Sequence, residues 1–133
     1  MNQDDIYPSD NLQYRDEAIK RWGEDSVKKS EARIEQAGPE RLRQANMEGE
    51  AIVGKLVDLM EADPASDKVQ QLIERFYQNK HFYIEEIPLE MFRGWGQMYA
   101  ADPRFRANYE KYAEGLADFV SEAISIYCDS KAK

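Results

Sequence analysis

The chain has 133 residues, 42% hydrophobic and 11% aromatic, enough for one domain with a core of its own. Lys plus Arg number 18 against 26 Asp plus Glu, a net charge of −8, which argues against unaided binding to a nucleic-acid backbone or an anionic membrane surface. A single cysteine, Cys128, excludes an intrachain disulfide and a Cys-based zinc cage and suits a reducing cytoplasm.

No run approaches the ~20 apolar residues of a membrane span, and the acidic start Met1-Asn2-Gln3-Asp4-Asp5 does not read as a signal peptide. Residues 1–10 are polar, contain Pro8 and are expected to fray. A first helix is predicted over residues 12–22, stopped by Gly23. Asp25 or Ser26 can cap a second, strongly charged helix that ends near Ala37, where Gly38-Pro39 breaks it.

A third helix from Pro39 to about Glu61 carries Ala45, Ile52, Leu56, Leu59 and Met60 on one stripe, the spacing of a half-buried helix. Asp63-Pro64-Ala65-Ser66 ends it, and Ser66 or Asp67 caps a fourth helix with Val69, Leu72, Ile73, Phe76 and Tyr77 on its apolar face. Residues 84–87 form a short link, after which Pro88 starts a fifth helix with Glu90 in its favourable first turn and Met91, Trp95, Met98 and Tyr99 on one face.

Asp102 can accept from the free N–H groups of the next helix, and Pro103 suits a first helical position. The last helix, after Gly115, turns Leu116, Phe119, Val120, Ala123, Ile124 and Tyr127 inward. No sustained period-two alternation and no hairpin dipeptide appears, so the fold class is all-α, a bundle of about six helices. Core positions are expected at Leu56, Leu59, Ile73, Leu116, Val120 and Ile124. The organisation read from this is a single domain over residues 1–133, with residues 39–133 as packed helical core. Residues 11–38, charged and poor in large aliphatics, are expected to be mobile helices that gain order with ligand.

Candidate chemistry is sparse. His81, the only histidine, follows Asn79-Lys80 and reads as an exposed helix-end residue; haem ligation would need more than a helical fold. Glu85, Glu86 and Glu90 resemble ordinary exposed carboxylates more than a cation site. Cys128 has the acidic neighbour Asp129, which raises a thiol pKa, so it reads as unreactive. No phosphate loop, nucleophile elbow or set of acid, base and nucleophile is present, so neither catalysis nor a cofactor is expected.

The aromatic residues Trp22, Phe76, Tyr77, Phe82, Tyr83, Phe92, Trp95 and Tyr99 have ordinary core packing as the competing reading. Phe82-Tyr83 and Phe92 are harder to bury, because adjacent aromatics point to different faces. A surplus of aromatics around one linker suggests a cleft that accepts a bulky apolar ligand.

The run Gly94-Trp95-Gly96-Gln97-Met98-Tyr99-Ala100-Ala101-Asp102-Pro103-Arg104-Phe105 resembles the signature of the TipA-type antibiotic-recognition domain, the drug-binding half of certain MerR-like activators. Tyr14-Arg15-Asp16-Glu17-Ala18-Ile19-Lys20-Arg21-Trp22-Gly23 is similar to that family's opening block, and Ser30-Glu31-Ala32-Arg33 to its Ser-x-x-Arg. Glu48-Gly49-Glu50-Ala51-Ile52 with Leu56, Leu59 and Met60 resembles its long middle helix. Ala107-Asn108-Tyr109-Glu110-Lys111-Tyr112 and Gly115-Leu116-Ala117 resemble its C-terminal block.

The resemblance implies a globin-like fold without haem and a role as small-molecule sensor or sequestering domain. Thiopeptide-like molecules are the implied ligand class. Its DNA-binding half would lie outside this sequence, and this chain would bind neither DNA nor membrane.

Arg15 stands where the family usually has glycine. Thiopeptide-binding members carry a linker cysteine, and counting back from Glu90-Met91 places Ile87 there, so reversible binding is expected. The ligand cleft is expected between the N-terminal helices and the helix from Pro88, lined by Tyr14, Trp22, Phe82, Tyr83, Met91, Phe92, Trp95 and Tyr99. The alternative is a helical interaction module that takes a peptide or partner helix in the same groove.

Overall fold

The computed structural model describes residues 11–132, with side chains from residue 16 onward. The frayed start expected for residues 1–10 and the Tyr14 side chain therefore lie outside the described residues. The fold is all-α. Seven helices run through the described residues: α1 (Asn11–Trp22), α2 (Glu24–Ala37), α3 (Pro39–Asp58), α4 (Asp67–Lys80), α5 (Leu89–Ala101), α6 (Pro103–Glu110) and α7 (Leu116–Ala132). The short α6 begins at the Asp102-Pro103 signal read from the sequence. No helix among the described residues is long and apolar enough to cross a membrane.

The chain divides into two compact units. One comprises Met1–Gly49 with Asn79–Glu85, the other Glu50–Gln78 with Glu86–Lys133, so the boundaries fall inside α3 and near the end of α4.

In the first unit, two glycines separate consecutive helices by the same device. Gly23 has φ 91° and ψ 153° and donates its N–H to Ile19 O at 2.8 Å. Gly38 has φ 92° and ψ 162° and donates to Ile34 O at 3.2 Å. This backbone region is open only to glycine, so the chain leaves one helix and enters the next without a longer loop.

The second unit holds most of the apolar core. Ile52, Leu56, Val69, Ile73, Phe76, Phe92, Leu116, Val120 and Ile124 are all at or below 1% exposure. Gly96 lets α5 approach α7, since a Cβ there would stand 3.0 Å from Ile124 Cγ2 and 3.1 Å from its Cβ. Arg93 crosses the same helix pair, donating to Ser125 Oγ at 3.2 Å and Asp129 Oδ1 at 2.7 Å.

Asp102 Oδ1 accepts from Arg104 N at 3.0 Å and Pro103 takes the first turn of α6, as the sequence indicates. Glu110 performs the same service for α7, accepting from the N–H groups of Gly115 at 3.0 Å and Ala117 at 3.1 Å.

Three local expectations are corrected. α3 stops at Asp58 rather than near Glu61, because the chain tightens into i−3 hydrogen bonds ahead of Asp63-Pro64. Leu59 is consequently half-buried, not core. The Ser66 hydroxyl is buried without a hydrogen-bond partner and does not cap α4; Asp63 instead organises the turn, accepting from Ala65 N at 2.8 Å.

Candidate functional site

The aromatic linker after α4 is held by several hydrogen bonds within the first unit. The amides of Phe82, Tyr83 and Ile84 bond back to Asn79 and Lys80 carbonyls at 3.2, 3.0 and 3.1 Å, tightening the end of α4 into a turn. α2 then holds this turn by its outward-facing carbonyls. Ser30 Oγ donates to Tyr83 O at 2.7 Å. Arg33 Nε donates to both His81 O and Phe82 O at 3.1 Å, and its Nη2 to His81 O at 3.0 Å.

Residues i and i+3 share one face of a helix, so Ser30-x-x-Arg33 delivers both donors to one target. From α3, Asn46 Oδ1 accepts the Tyr83 hydroxyl, and Ala45 O accepts from Asn79 Nδ2 at 3.0 Å. Asn46 and Asn79 are themselves buried.

This scaffold fixes the backbone and leaves the rings half-buried. Phe82 and Tyr83 stand edge to face, centroids 5.1 Å apart at 88°, and Trp22 on α1 is half-buried in the same unit. The Lys80 ammonium lies 5.6 Å from the Tyr83 ring centroid, and burial pulls its pKa down to about 8. His81 is half-buried rather than exposed, with its carbonyl engaged by Arg33.

The expected site residues on α5 belong to the second unit. Phe92 is fully buried among Tyr77, Tyr127, Phe76 and Trp95, with centroids at 4.8, 5.8, 6.1 and 6.2 Å. Trp95 is 7% exposed and Tyr99 9%. Tyr99 packs against Tyr109 at 4.9 Å and Phe105 at 6.4 Å, and burial pushes its hydroxyl pKa up to about 12. Met91 is half-buried. Sequence periodicity could not distinguish these core rings from ligand-facing ones, because both lie at helical spacing.

Cys128 is buried, and burial is the main cause of its raised pKa; Asp129, the cause read from sequence, contributes less. Its Sγ lies 3.5 Å from Leu89 O. Ile87 is buried and its carbonyl accepts the Tyr77 hydroxyl. Glu85, Glu86 and Glu90 are exposed, and no group of three His, Cys, Asp or Glu among the described residues is placed to hold a metal ion.

The sequence reading missed Ser30, Arg33 and Asn46 as positioning residues and Glu110 as a cap. The spacing of the Ser-x-x-Arg pair was the available signal for the first two.

Residues 14–127 match the TipAS antibiotic-recognition domain, and the chain belongs to that family. It is 32% identical over 116 residues to the HTH-type transcriptional activator mta of Bacillus subtilis (strain 168), a match covering 87% of this chain and 45% of that protein. The chain thus spans less than half the length of this curated relative. No solved structure matches it.

Proposed function

We propose that the chain is a small-molecule recognition domain, the sensor part of a MerR-like transcription regulator or a stand-alone sequestering protein, whose ligands are bulky, apolar and antibiotic-like. The observation that carries this reading is the clamped linker. Three side-chain anchors, Ser30, Arg33 and Asn46, hold a segment whose Phe82 and Tyr83 rings are not consumed in core packing. Pre-organised aromatics give contact area at low entropic cost.

Trp22, Phe82 and Tyr83, all in the first unit, are the proposed contacts. Phe92, Trp95 and Tyr99 are buried in the second unit and serve its core. Family membership and the likeness to an HTH-type activator support the sensor role. Binding is proposed to be reversible, because the lone thiol is buried on α7 and the linker has none.

The test is a thermal-shift and calorimetric titration with thiopeptides and other macrocyclic apolar natural products. A ligand at 100 times its dissociation constant stabilises by about 2.7 kcal/mol. No shift with any member of the set at saturating solubility would remove the proposal.

A further inference from the structure

The second unit carries an open cavity of about 350 Å³ on the α3–α4 face, lined by Lys55, Asp58, Leu59, Lys68, Gln71, Leu72 and Arg75. Its walls follow helix geometry. Lys68, Gln71, Leu72 and Arg75 lie at i, i+3, i+4 and i+7 along α4 and so share one face, and Lys55 stands in the last turn of α3. Leu72 is 8% exposed and Leu59 half-buried, giving the cavity an apolar floor beneath an exposed cationic rim.

The charge here runs against the rest of the molecule. The chain carries −8 overall, yet this cavity gathers three cations against the single carboxylate of Asp58. Many described cations elsewhere are spent on carboxylates: Lys28 on Glu24, Arg43 on Glu40, Arg93 on Asp129, Arg104 on Asp102, Arg106 on Asp118 and Lys131 on Glu74. Lys55, Lys68 and Arg75 make no ion pair or hydrogen bond among the described residues, and neither does Asp58.

We propose that this cavity is a binding site for a small amphiphilic anion, a phosphate-type head held by Lys55, Lys68 and Arg75 with an apolar tail against Leu59 and Leu72. The volume falls in the range of small-ligand sites. The ligand is a free molecule rather than a bilayer headgroup, since the net negative charge of the chain repels an anionic surface. This site is independent of the aromatic linker and does not rest on the function proposed above.

The test is a ¹⁵N–¹H shift titration of the full chain with hexyl phosphate, inorganic phosphate and anionic vesicles of phosphatidic acid. The wild-type chain is compared with a Lys55→Gln/Lys68→Gln/Arg75→Gln variant and with a control of equal charge change, Lys20→Gln/Lys29→Gln/Arg41→Gln, at exposed positions outside the cavity. Saturable hexyl phosphate binding centred on Gln71 and Leu72 is expected. It should be at least tenfold tighter than inorganic phosphate, weakened at least tenfold in the cavity variant, and changed less than twofold in the control. Absence of saturation, equal losses in both variants, equal affinity for the two phosphates, or binding only to vesicles would overturn the proposal.

Discussion

Ser30 Oγ donates a 2.7 Å hydrogen bond to the carbonyl of Tyr83, 53 residues further along the chain. With Arg33 engaging His81 and Phe82 from the same helix face, a polar pair on α2 fixes the position of an aromatic pair after α4. Such a bond contributes about 0.5–1.5 kcal/mol. Its greater consequence is order in a segment with no regular structure of its own.

Ser30→Ala and Arg33→Met should therefore act locally. Amide exchange at Phe82, Tyr83 and Ile84 should accelerate at least tenfold, while amides of α7 keep wild-type rates. Exchange at the linker amides unchanged in the double variant would show that the clamp holds nothing in solution.

The two glycines in the middle of α5 should respond oppositely to alanine. Gly94 is exposed with no atom within 4 Å of a built Cβ, so Gly94→Ala should stabilise by about 0.5–1 kcal/mol through helix propensity and a less flexible unfolded chain. At Gly96 the same gain is opposed by Ile124 Cγ2 at 3.0 Å and its Cβ at 3.1 Å; the latter, close to the backbone, cannot easily rotate away. Overpacking costs ~1–3 kcal/mol, so Gly96→Ala should be net destabilising. Urea denaturation of the two variants settles the ordering.

The parts legible in the sequence were those whose cause is local. Asp102 and Pro103 announce α6 because a cap and its N–H are two residues apart. The faces through Leu56, Ile73 and Val120 are legible because burial repeats with the helix period. The end of α3 was misjudged because apolar spacing runs on through Leu59 and Met60, whereas Pro64 restricts the residue before it and the chain tightens earlier. The partners of Ser30, Arg33 and Asn46 lie 37 to 53 residues away, a separation that no local pattern encodes. The α5 rings were ambiguous for another reason: helical spacing says that Phe92, Trp95 and Tyr99 face something, not whether it is core or ligand.

Acid should weaken the C-terminal helices first. Hydrogen bonds from Gly115 and Ala117 hold the Glu110 carboxyl below its usual value of 4.5, and the hydrogen bond from Arg106 holds Asp118 below 3.8. In both cases the unfolded chain takes up protons at higher pH than the folded one. Their stabilisation is therefore complete above the unfolded values and lost as pH falls through the lowered ones. Glu110→Gln should flatten the fall in melting temperature between roughly pH 5 and 3. An unaltered acid limb would contradict the assignment.

Lys80 predicts a rise of stability with pH in the alkaline range as well. Burial lowers its pKa from 10.5 to about 8, so between those values the unfolded chain holds a proton that the folded chain has released. Stability therefore rises with pH across that window, and the cost of burying the charge is fully present below about 8. Lys80→Met, which keeps the stem and removes the charge, should raise the melting temperature at pH 7, and its advantage should shrink towards pH 10.5. A constant difference across that range would show that the ammonium is solvated.

The aromatic residues proposed as contacts should separate from those that support the fold. Trp95 is 7% exposed with its ring edge-on to Phe92 at 6.2 Å, so Trp95→Ala should cost ~3–5 kcal/mol of stability. Phe82 is half-buried on a backbone held by Arg33, and Phe82→Ala should cost about 1 kcal/mol. Affinity for a macrocyclic ligand should follow the opposite order. Titration of Phe82→Ala should show a loss of about tenfold, the share expected of one aromatic anchor, with the fold intact by circular dichroism. Trp95→Ala should retain more affinity in whatever fraction remains folded. Full affinity in Phe82→Ala beside abolished binding in folded Trp95→Ala would move the site off the linker and into the second unit.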